Sequence, residues 1–152
     1  MAQTELPSLV EYLRRGTPRT RVGLWCAPLS RIGKEAETAI QLGIQPLDVG
    51  KYYLELLPKG AQFARLSSQK VIETLDSIAS SMGQSDCVLV FNFDLLLSGL
   101  KTQERQQVWS DLFNHFPNRR RALIIVLPDT AKHLLPTEEL LENWQRETRV
   151  VQ

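Results

Sequence analysis

The residues whose types and order suggest chemistry begin with Gly33-Lys34, which close the loop Ala27-Pro28-Leu29-Ser30-Arg31-Ile32-Gly33-Lys34. The loop follows a short apolar run, Val22-Gly23-Leu24-Trp25-Cys26, and precedes a helical pattern that reaches Leu42 and stops at Gly43. A strand, a loop ending in Gly-Lys and a helix is the layout of a phosphate-binding loop, whose backbone N–H groups turn inward around the anion. The composition departs from that chemistry. The pattern G-x-x-x-x-G-K-[ST] needs a glycine where this chain has Pro28 and a hydroxyl where it has Glu35. Proline has no N–H to offer and a fixed φ. A carboxylate at a helix start suits the dipole but repels a phosphate. Gly33 and Lys34 therefore read as vestiges of a phosphate loop.

Asn92 and Asp94 are the second candidate pair. They end Cys87-Val88-Leu89-Val90-Phe91-Asn92-Phe93-Asp94, a run that turns polar only at its last residues. A strand covered on both faces reads apolar throughout, so this run belongs at the centre of a sheet. Its polar end then falls on the carboxyl edge, where open α/β folds place ligand and catalytic groups. Strand alternation puts Asn92 and Asp94 on one face; the competing reading is that they merely end the strand. Leu95, Leu96 and Leu97 continue apolar, either as an exposed surface for a partner or as a cover over the sheet's open end. Two basic clusters, Arg14/Arg15/Arg19/Arg21 and Arg119-Arg120-Arg121, could contact nucleic-acid phosphates or a partner, with solvated charge as the alternative.

The elements that must position these groups alternate in kind. A short helix over Leu6–Arg15 leads to the strand at 22–26, and the helix after the loop leads to a brief strand at 44–47, whose Pro46 argues for an edge position. Asp48 caps a helix through Leu57 with Tyr52, Tyr53, Leu56 and Leu57 inward, stopped by Pro58-Lys59-Gly60. A connection over 61–66 leads to a helix from Ser67 to Met82, which delivers the chain to the central run. Thr102 opens a helix to His115 with Trp109 inward, ahead of a second fully apolar strand, 122–127. A helix near Thr137–Trp144 and a last strand at 149–151 close the chain. Such alternation demands parallel pairing and right-handed crossovers. The expected fold is a three-layer α/β sandwich on a mostly parallel five-stranded sheet. The strand at 22–26 lies between 122–127 and 149–151, and 44–47 lies at the far edge.

Composition narrows the classes. The 152 residues suit one domain with a real core. With 18 Lys+Arg against 17 Asp+Glu, the net charge of +1 provides no global field for nucleic acid or membrane. The apolar runs are too short for a membrane span and the N-terminus lacks a secretion-signal core. A cytoplasmic location follows as the expectation, with Cys26 and Cys87 as buried free thiols. No Cys/His spacing suggests a metal.

The order of elements resembles the RecA/AAA-like branch of P-loop NTPases, with one domain over residues 1–152 and no lid. It is most similar to the small P-loop proteins of BREX bacteriophage-defence systems (BrxF-like). The resemblance rests on chain size, on the Ile44-to-Leu57 strand and Tyr/Leu-rich helix, and on Val88-Leu89-Val90-Phe91-Asn92-Phe93-Asp94-Leu95-Leu96-Leu97, and it spans Val22 to Pro128. It implies a defence-system subunit working with larger protein partners. The family's magnesium-holding aspartate falls on Phe91 or Asn92 according to register, and only Asp94 could replace it.

Lesions in both the loop and the acidic strand, each costing a phosphoryl-transfer site several kcal/mol, favour a pseudo-ATPase that binds partners without ATP or magnesium. The alternatives are an oligomeric ATPase using Lys34, Asp94 and an arginine of 119–121 offered to a neighbouring copy, and a subunit that contacts DNA through its local basic patches.

Overall fold

The computed structural model describes residues 5–16, 18, 20–57, 66–83 and 85–152. Among them are five strands, β1 (Val22–Ala27), β2 (Gln45–Asp48), β3 (Cys87–Phe91), β4 (Ala122–Pro128) and β5 (Val150–Val151). The helices are α1 (Leu6–Arg14), α2 (Glu35–Leu42), α3 (Val49–Leu56), α4 (Ser68–Ser80), α5 (Phe93–Ser98), α6 (Thr102–Asn114) and α7 (Glu138–Arg146). The strands form one sheet in the order β2-β3-β4-β1-β5, and every pairing is parallel. The order is the expected one, in a sheet that is wholly parallel.

Parallel neighbours need a crossover, and crossover helices cover both faces of the sheet. That is why β1, β3 and β4 read as continuous apolar runs while alternate residues still go to opposite layers. On one face Leu9, Val10 and Leu13 of α1 and Ala39 of α2 pack with Trp25, Leu89, Ile124 and Val126. On the other, α4, α6 and α7 bring Leu75, Trp109 and Trp144 against Leu24, Val90 and Ile125. The helices and sheet thus form a three-layer α/β sandwich with a P-loop-like strand order. A Cβ on Gly23 would lie 3.0 Å from both Leu9 methyls, so the missing side chain lets α1 settle directly on β1.

The caps follow the sequence. Ser67 Oγ accepts from the Lys70 N–H at 3.2 Å, and Thr137 Oγ1 from the Leu140 N–H at 3.3 Å. Gly43, at φ +71, ends α2. α3 departs from expectation: Tyr52 and Tyr53 are half-buried against the core, but Leu56 is exposed, as is Leu54. The stop expected at 58–60 and the connection over 61–65 lie outside the described residues. Trp109 and Trp144 are both core residues, edge to face at 6.3 Å, and the Trp109 indole N–H donates to Leu134 O at 2.8 Å.

Candidate functional site

β1 delivers its loop to the carboxyl edge of the sheet, where Leu29–Arg31 form a 3₁₀ turn. The N–H of Arg31 donates to Pro28 O at 2.9 Å, that of Ile32 to Leu29 O at 3.2 Å, and that of Lys34 to Arg31 O at 3.0 Å. These donors are turned onto the loop's own carbonyls. Gly33 has φ +89, the left-handed region that glycine enters without strain. A Cβ there would meet nothing within 4 Å, so the dihedral requires the glycine and crowding does not. Lys34 is exposed and stands immediately before α2, its carbonyl accepting the Thr38 N–H at 3.1 Å. Glu35 follows, only 5% exposed.

The end of β3 corrects an expectation. The strand stops at Phe91, Asn92 takes a left-handed conformation (φ 61, ψ 22), and Asp94 lies in the first turn of α5. Asn92 and Asp94 therefore do not share a strand face. Asparagine is among the few non-glycine residues that enter this region readily, and here it converts strand directly into helix. Asn92 Nδ2 donates to Asp48 Oδ2 at 2.9 Å, while Asp48 Oδ1 caps α3 through the Lys51 N–H at 3.1 Å. The cap at Asp48 was legible in the sequence; its bond to Asn92 joins positions 44 residues apart and was not.

Gly33-Lys34 and Asn92/Asp94 thus share one edge, but β4 stands between their strands, a separation of two strand spacings or roughly 10 Å. The helical period splits the leucine run. Leu95 is 60% exposed, whereas Leu96 and Leu97 are in the core, so the three form neither one exposed surface nor one cover.

The arginine run also breaks apart. Arg119 is held by Asp76, at 2.7 Å from Nε and 3.2 Å from Nη2, a pairing that raises its pKa. Arg120 is exposed, with Nη1 3.0 Å from Met82 Sδ. Arg121 is 3% exposed. It donates to Ser85 O at 3.0 Å, to Ser81 Oγ at 2.8 Å and to Gln45 Oε1, and burial lowers its pKa. The run is therefore no single basic patch, because its last member enters the core beside a buried strand. In the first cluster Arg14 pairs with Asp86 at 2.8 Å, and Arg21 donates to Leu13 O at 3.1 Å and Arg119 O at 3.0 Å.

Sequence reading also missed Arg149, which is fully buried. Nε donates to Val22 O at 3.0 Å, Nη1 to Phe113 O and to Glu147 Oε1 at 3.3 Å each, and Nη2 to Thr20 Oγ1. The guanidinium centre lies 4.7 Å from both the Phe113 and Trp144 rings. The available signal was its place directly before the buried pair Val150-Val151.

Burial pushes the Cys26 thiol up to about 11, aided by the nearby Asp129 carboxylate, and the Cys87 thiol up to about 12. Among the described residues no group of three or more His, Cys, Asp or Glu is placed to hold a metal ion, and no helix is long and apolar enough to cross a membrane. Comparison of the chain with family models, with curated proteins and with solved structures finds no match.

Proposed function

We propose that this chain is a non-catalytic, pseudo-ATPase subunit of P-loop descent that binds larger protein partners in a bacterial assembly of the phage-defence kind. The observation that carries this reading is the hydrogen bonding of the loop after β1. A phosphate cradle works by presenting backbone N–H groups to the anion. Here the N–H groups of Arg31, Ile32 and Lys34 are spent on Pro28, Leu29 and Arg31, and Pro28 has none. The second support is at β3, where the Asn92 amide is engaged by Asp48 and Asp94 has left the strand for α5.

The alternative of an ATPase completed by arginines of a neighbouring copy is weakened by the fates of Arg119 and Arg121, one tied to Asp76 and the other buried. Partner binding is supported by exposed leucines at the carboxyl edge. Leu95 reaches to 3.4 Å from a Cβ built on Gly50, and Leu54, 59% exposed, lies one helical turn further along α3.

Equilibrium binding of ATP, ADP and GTP, with and without magnesium, tests the first half. The expected result is no saturable binding and no phosphate release. Magnesium-dependent hydrolysis that Lys34→Ala abolishes would sink the proposal. Co-purification with the larger subunits tests the second half, with Leu95→Asp expected to weaken it while the melting temperature holds.

A further inference from the structure

We propose that the cleft beside the carboxyl ends of β1 and β4 binds a small organic cation, an ammonium carried on an apolar stem. The cleft has a volume of about 480 Å³, a size typical of small-molecule sites. Its lining comes from the carboxyl ends of β1 and β4 and from α7. In open α/β sheets ligands bind outside the carboxyl ends of the strands, the edge on which this cleft lies.

The lining has two characters. Cys26, Leu135 and Leu141 form an apolar wall, while Asp129, Lys132 and Glu138 supply charge. Glu138 and Leu141 are three residues apart on α7 and so share a helix face. The Asp129 N–H donates to Ala27 O at 2.8 Å, which pins that residue to the end of β1. Among the described residues, no ion pair engages Asp129, Lys132 or Glu138. Two unpaired carboxylates against one ammonium favour a cation and repel a polyphosphate. The Cys26 side chain, 4% exposed and in no hydrogen bond among the described residues, belongs to the wall that would receive a hydrocarbon stem. Cys26 packs into the layer of α4, α6 and α7, whereas Ala39 of α2 and Ile32 of the loop pack in the opposite layer.

The test compares two probes of one skeleton, 2-phenylethylamine and 3-phenylpropionate, by isothermal titration and amide chemical shifts. The amine is expected to bind with a Kd on the order of 1 mM, and the carboxylate about tenfold more weakly or worse. Asp129→Asn and Glu138→Gln change exposed side chains, and each should weaken the amine about tenfold with an unchanged melting temperature. Equal affinity for the two probes, no amine binding at roughly ten times that concentration, or full amine affinity in both variants would overturn the proposal. Each outcome is independent of whether nucleotide binds.

Discussion

Replacing Arg149 by methionine keeps an apolar stem between Phe113 and Trp144 and deletes the guanidinium. The change withdraws a charged donor from Val22 O and Phe113 O and from the Thr20 hydroxyl, and leaves the Glu147 carboxylate without this cation. Glu147 is 33% exposed at its side chain and can be rehydrated, and Phe113 O still accepts from the Thr20 hydroxyl at 3.3 Å, so the main cost falls on Val22 O and Thr20 Oγ1, at about 1–3 kcal/mol for each left unsatisfied. The variant recovers the desolvation that a buried cation suffers, which removes part of that loss. A net destabilisation of about 3 kcal/mol is expected, a fall in melting temperature of about 6–12 °C for a chain of this length. Urea titration followed by tryptophan fluorescence measures it, and Arg149→Lys should recover part, because an ammonium can donate but cannot lie flat between two rings. Stability of Arg149→Met within about 0.5 kcal/mol of the parent would refute the reasoning, since hydrocarbon can replace a buried charge without loss when the charge is poorly satisfied.

Further outcomes follow from the packing and the thiols. A Cβ on Gly83 would lie 2.8 Å from Arg121 Cζ, so Gly83→Ala should cost about 1–3 kcal/mol in a urea titration, and a neutral result would mean that the guanidinium moves aside freely. At about pH 8 the folded Cys26 thiol should be about one part in a thousand thiolate against about one in ten when unfolded, so a thiol reagent should label it only through unfolding. The sign of the pH effect is fixed by the raised values. Below the unfolded pKa of 9.0 both states keep the proton; above it the unfolded thiols ionise first, so stability falls toward pH 11 and 12. In urea titrations across this range Cys26→Ala should remove the Cys26 share of that alkaline loss and leave the Cys87 share.

The sheet was legible because burial on both faces leaves an unmistakable trace in the residues. Val88-Leu89-Val90 and Leu123-Ile124-Ile125 admit no polar side chain, and Pro46 assigned β2 to an edge. The site was legible only as a departure: Pro28 and Glu35 say what the loop lacks, but not that its amides close on its own carbonyls, which depends on the 3₁₀ turn. Charged residues misled most. Arg119, Arg120 and Arg121 look alike in a row, yet a strand entering the core takes the last inside, and Arg149 is buried by aromatic rings contributed from α6 and α7. Leu95 to Leu97 could be read as a first helical turn, and α5 begins there, but taking the three as one apolar block misled, since the helical period exposes one and buries two.

Pro46 has a consequence for the molecule's behaviour among its neighbours. It sits in the outermost strand, paired on one side only, and it interrupts the row of amide donors that a passing chain would need in order to add itself there. That margin of the sheet is therefore a poor template for an added strand.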